Sequence, residues 1–176
     1  MVNDRIAGWL AFVMIATIFV FANPYKTTAG MLAEARKFSG LHEVTNNRKL
    51  RSILGINPAR VPWCGYFMGY VAKKAGSEPP SNFTLARAWA GYGSKVSLNK
   101  ARPGDVVVIR SRYGYHVGLL SEISKKGVHL IGGNQSGRVQ QSHYSKGSVV
   151  AVRRGDVPEN TLASSAPAYR RTTDRR

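Results

Sequence analysis

Apolar positions change period along this chain, and the changes mark out its elements. From Ile6 to Ala22 seventeen residues carry no charge. As a helix they would reach about 26 Å, close to the roughly 27–30 Å hydrocarbon layer of a bilayer. The stretch is expected to be a membrane segment, in one of three versions: a retained anchor, a cleaved signal with its site at Val20-Phe21-Ala22, or an anchor that later leaves the bilayer. After it, MLAEARKFSG predicts a short helix ending near Gly40, and NNRKLRSIL a second with Asn46 or Asn47 as its cap. Cys64, Phe67, Met68, Val71 and Ala75 recur at helical spacing, with Lys73, Lys74 and Gly76 closing the end. A further short helix is expected around Thr84 to Ala90.

The period then changes to that of strands. Val106 to Ile109, Tyr115 to Ser121, Val128 to Ile131 and Val149 to Val152 read as strands, with Arg138 to Gln141 a weaker candidate. Gly, Ser and Lys separate them at hairpin lengths, so an antiparallel meander is expected after a block of helices. That order is α+β. Beyond Asp156 the sequence loses periodicity and reads as a disordered basic tail. Three regions result: 1–26 as membrane segment, 27–155 as the folded domain, and 156–176 as tail.

Composition narrows the chemistry. The chain has 26 Lys and Arg against 9 Asp and Glu, a net charge of +17. Residues 27–155 hold 20 basic and 5 acidic side chains, so +15 belongs to the domain itself. Its partner is expected to be anionic: a wall polymer, lipid headgroups or nucleic acid. For nucleic acid no binding motif accompanies the charge, and aromatics do not interleave with basic residues along any strand. Lys26, Arg36 and Lys37 follow the apolar segment whereas only Arg5 precedes it, a bias that would keep the domain cytoplasmic unless a folded domain or dedicated export overrides it. The pattern specifies no oligomeric state.

A single cysteine, Cys64, excludes an internal disulfide and paired-cysteine zinc sites. No HExxH spacing supports a zinc hydrolase, and GGNQSG lacks the Gly-Lys-Ser/Thr of a phosphate loop. Cys64 opens a helix, where the dipole and free N–H groups are expected to lower its pKa and where a backbone N–H is available to an oxyanion. A thiol of this kind needs a base. Among His42, His116, His129 and His143, His116 opens the strand YHVGLL on the face of Gly118, whose missing side chain would let the Cys64 helix approach. Asn134, at the end of the next strand, is placed to orient the imidazole or to form a turn. Trp63 and Tyr115 flank the two groups as candidate groove or core residues. Asp105, in Pro103-Gly104-Asp105, reads as a backbone cap.

Taken in order, PWCGYFMGYVAKKAG, RPGDVVVI, HVGLL and GGNQ resemble the CHAP and NlpC-type papain-like cysteine peptidases and amidases, most of all the phage-associated wall hydrolases. The resemblance covers about residues 30 to 154. It implies a papain-like α+β fold, cleavage of amide bonds in peptidoglycan, and no metal or other cofactor. Residue by residue it implies Cys64 as nucleophile, His116 as base and Asn134 as the polar third member. Many CHAP domains carry Glu two residues before the Asn; here that position is Gly132. The anchor and charge suit a phage lysis factor or a virion enzyme that opens the wall, in the inner membrane and periplasm or in a virion membrane. The competing reading is a membrane-anchored basic protein that binds wall or nucleic acid without catalysis.

Overall fold

The computed structural model describes residues 28–155. The apolar segment at 6–22 and the tail from 156 lie outside these residues. Among the described residues no helix is long and apolar enough to cross a membrane. Three helices come first: α1 (Thr28–Arg36), α2 (Asn47–Leu54) and α3 (Cys64–Lys74). Six strands follow: β1 (Ser94–Lys95), β2 (Val106–Ser111), β3 (Gly114–Ile123), β4 (Val128–Gln135), β5 (Arg138–Tyr144) and β6 (Val149–Arg154). They form one antiparallel sheet in the order β1-β6-β2-β3-β4-β5.

The α+β expectation therefore holds, and β2 to β5 form the expected meander. The last strand departs from it, because β6 crosses back to pair with β2 instead of extending the β5 edge. Two further differences are local. The stretch expected to be helical around Thr84 to Ala90 is a 3₁₀ turn at Ala86–Gly91, and Asn46 precedes α2 without a side-chain cap bond. Its Oδ1 instead accepts from the His42 N–H at 2.9 Å.

The four-residue apolar run of β2 is buried on both faces, which is why it shows no alternation. Val106 and Val108 join Val117, Leu119, Ile131 and the helices in one core, whereas Val107 and Ile109 join Leu120, Leu130 and Val152 in a second core on the opposite face. Helix α3 seats Phe67, Met68 and Val71, all fully buried, against the first. Each such side chain contributes about 1.5–3 kcal/mol by leaving water. The helix ends where Gly76 takes a left-handed φ of 68° and Ser77 N–H donates to the Ala72 carbonyl at 2.9 Å, a glycine-dependent closure.

Candidate active site

Cys64 is the first residue of α3. Trp63 before it contributes no side-chain cap, so the first N–H groups of the helix stay available to other acceptors. Trp63 itself does not border a groove. Its side chain is fully buried, its Nε1 donates to Glu43 Oε2 at 2.9 Å, and its ring meets Phe67 edge-to-face at 6.2 Å. The expectation that it lines the substrate path is therefore corrected: an indole that can satisfy its N–H internally is best placed in the core.

A glycine sets how near α3 comes to the sheet, but it is not Gly118. A Cβ at Gly133 would stand 2.5 Å from the Trp63 ring and 2.6 Å from Phe67 Cβ, so only glycine lets α3 lie this close to β4. At Gly118 a Cβ would meet β4 instead, 3.0 Å from the Ile131 carbonyl oxygen. The face of Gly118, which is also that of His116, looks away from the bulk of α3.

Cys64 and His116 nevertheless meet at one cavity of about 540 Å³, which Asn134, Gln135 and Tyr144 also line. The thiol reaches β3 directly: it takes hydrogen bonds from the backbone of Val117, Gly65 and Cys64 itself. Val117 follows His116 in the strand, and Cys64 and His116 both line this cavity. A second cavity of about 600 Å³ lies on the other side of the thiol, with Tyr66, Leu85 and Arg87 in its wall. Cys64, Pro62 and Tyr115 border both spaces, so the thiol, 7% exposed, sits midway along a groove. Tyr115 is 37% exposed, with the guanidinium groups of Arg87 and Arg110 each 5.8 Å from its ring centre.

The electrostatics differ from the sequence expectation. Burial pushes the Cys64 thiol up from its ordinary value, and the backbone N–H groups offset this only in part. Burial also pushes His116 down to about 4, against a smaller upward pull from the Gln135 side chain. Both shifts penalise charge, so the surroundings of the two groups favour a neutral thiol and a neutral imidazole. Burial is the largest influence on the thiol, ahead of the backbone N–H groups at the start of the helix.

His116 Nε2 is buried and closes no hydrogen bond among the described residues. A Cβ at Gly132 would lie 3.5 Å from Nε2, so the small residue at this position makes room for the ring edge. Asn134 takes a left-handed φ of 59° and borders the cavity. The next residue, Gln135, borders the cavity as well, and its side chain pulls the imidazole pKa upward. Gln135 and Tyr144 are the site residues that the strand pattern missed. The signal for them was an Asn beside two glycines at a strand end, since Asn is enriched at positive φ and a positive φ within a strand marks a bulge.

The other histidines lie elsewhere. His129 and His143 pair across β4 and β5 with ring centres 5.1 Å apart, and His42 Nδ1 accepts from the Val44 N–H at 3.1 Å. Among the described residues no three His, Cys, Asp or Glu side chains gather as a metal ion would require.

No family model matches the chain, and no curated protein matches it. Solved structures do. One is the P60 domain of an antigen from M. avium subspecies paratuberculosis, 18% identical, covering 52% of this chain and 64% of that one with a TM-score of 0.39. Another is an NLP/P60-family, lipoprotein-like protein from Staphylococcus aureus subsp. aureus Mu50, 20% identical, covering 74% and 42% with a TM-score of 0.49. The P60 domain of a second M. avium subspecies paratuberculosis antigen is 16% identical, covering 74% and 92% with a TM-score of 0.49. The chain thus spans less than two thirds of the first two.

Proposed function

We propose that the protein is a thiol amidohydrolase that cuts an amide bond in peptidoglycan, with Cys64 as nucleophile and His116 as general base and acid. The observation that carries this reading is the meeting of Cys64, at the start of α3, and His116, on β3, at one groove wall with the thiol held by the Val117 backbone. The four sequence blocks that resemble wall peptidases and amidases supply the substrate class, and the +15 of the domain suits an acidic wall polymer.

The chemistry starts from the neutral pair. As Cys64 Sγ bonds to the amide carbon, its proton passes to His116 Nδ1, so the imidazolium exists only while the oxyanion opposite it exists. A backbone N–H in the first turn of α3, released as the sulfur bonds to carbon, is the proposed donor for that oxyanion. Collapse breaks the C–N bond, and His116 returns its proton to the leaving amine. Water, deprotonated by the same imidazole, then cleaves the thioester, which gives a carboxylic acid and restores the thiol. Tyr115 lies at the point where both halves of the groove meet and is the proposed substrate contact. The apolar segment at 6–22 is proposed to hold the domain at a membrane, in the role of a phage lysis factor or a wall-opening virion enzyme.

Digestion of purified sacculi tests the reading, with the released termini identified by mass spectrometry. The wild type should release new amino and carboxyl termini. Cys64→Ser should release none while melting normally, because an alcohol is a poor nucleophile beside this base and the volume change is small. Hydrolysis at near wild-type rate by Cys64→Ser would overturn the thiol mechanism.

A further inference from the structure

We propose that Gln135, and not Asn134, is the residue that positions the His116 ring, its Oε1 accepting the proton of Nε2. The inference rests on the Cys64–His116 reading for its catalytic consequence, and on the strand geometry for the assignment itself.

Continued in register from the Leu119–Ile131 pair, the β3–β4 hairpin would set position 134 opposite His116. The β4–β5 pairing shows why Asn134 does not take that role. Gly132 pairs with Gln140, so an unbroken ladder would pair Asn134 with Arg138; the residue that pairs with Arg138 is Gln135. One extra residue has entered β4, at the left-handed Asn134. A bulge of this kind moves the following side chain onto the face its predecessor would have had. Gly133 faces Trp63 and Phe67, so in a regular strand Gln135 would have pointed into the helix layer. Instead it borders the same cavity as His116.

Once there, its amide has one possible orientation. Nε2 donates to the carbonyls of Leu130 at 3.2 Å and Gly132 at 3.3 Å and to that of Gln140. Carbonyl oxygens only accept, so the NH2 end must face them. Oε1 therefore faces the other way, where the Tyr144 hydroxyl donates to it at 2.7 Å. The Tyr144 ring lies 5.8 Å from the His116 ring and tilted 30° to it. An amide oxygen accepts two hydrogen bonds, and Tyr144 uses one. The second lone pair of Oε1 and the unpartnered Nε2 of His116 complement each other, and a hydrogen bond of this kind tightens when substrate fills a groove. A proton held on Nε2 leaves Nδ1 unprotonated toward the cavity, the tautomer that a base for Cys64 requires. Gln135 is only 3% exposed, as a group that must hold one geometry should be.

The test is the tautomer of His116 in the full chain labelled with 15N, read by NMR, together with turnover on sacculi. Asn134→Gly keeps the left-handed backbone and deletes the side chain. It should retain the Nε2–H tautomer and turn over within about threefold of wild type. Gln135→Met removes the polar end at similar volume. It should lose the tautomer preference and lower kcat by about ten- to a hundredfold with little change in KM. Should that variant fail to fold, Gln135→Glu sets a carboxylate at the same place, and the ring pKa should rise by at least about one unit from its low value. Loss of the Nε2–H signature in Asn134→Gly, its persistence in Gln135→Met, or an unmoved ring pKa in Gln135→Glu overturns the assignment. Absence of turnover in every protein, with the tautomer pattern intact, would count against the hydrolase reading alone.

Discussion

Asp105 and His116 both place polar atoms inside this fold, and their surroundings are opposite. At the start of β2, Asp105 is 1% exposed and fully engaged. It accepts from Arg154 Nε and Nη2, each at 2.7 Å, and from the Arg102 N–H at 2.8 Å. The second acceptor closes the Pro103-Gly104 turn, as a backbone cap should. On the neighbouring strand β3, His116 is half-buried, and its buried Nε2 closes no bond among the described residues. A satisfied buried ion serves structure, because removing either partner strands a charge away from water. An unsatisfied buried nitrogen is a cost that a fold retains where chemistry uses it. The contrast separates the corner that holds the sheet together from the corner proposed to react.

Removing the engaged group should show the larger stability effect. Asp105→Ala leaves Arg154 without its carboxylate and the turn without its cap, and should cost about 3–5 kcal/mol. Chemical denaturation measures this, and turnover per folded molecule should stay near wild type. A loss below about 1 kcal/mol would erase the contrast.

The reactive corner is broken by pH instead. With the thiol raised and the imidazole low, alkylation of Cys64 by iodoacetamide in the free protein should climb about tenfold per pH unit from pH 6 to 9, because thiolate is the reacting species. A rate already flat at pH 6 would mean a standing thiolate–imidazolium pair and would contradict a neutral resting state.

A smaller effect concerns acid stability. His116 titrates at about 4 in the folded chain against an ordinary value of 6.5, so between those values the unfolded chain binds more protons. The stability this group contributes is complete above pH 6.5, shrinks as pH falls, and is gone below about 4. Melting temperature should fall less steeply from pH 7 to 4 in His116→Gln than in the wild type, and identical slopes would show that His116 is protonated equally in both states.

How much of this was legible in the chain differs by scale. The helical face from Cys64 to Ala75 and the apolar strand runs were open to reading because each follows a local period, set by backbone geometry within a few residues. The proposed nucleophile was open too, as the chain's one thiol at a helix start. The third position was not. Asn134 and Gln135 are adjacent amides that both border the His116 cavity, and the face each takes depends on one extra residue in β4, set by pairing with β5. Trp63 likewise reads as a groove aromatic until Glu43, distant in sequence, supplies a partner for its N–H.

The sequence by itself determined the α+β order, the excess positive charge and the single thiol, because these follow from composition and from side chains a few residues apart. Tertiary structure decided the return of β6 to β2, the Asp105–Arg154 pair, the direction of the Cys64 and His116 pKa shifts, and the bulge that brings Gln135 to the cavity His116 lines. Each of these depends on what lies across the sheet and on how much water is excluded there. Burial and long-range pairing are properties of the folded neighbourhood and not of the residue.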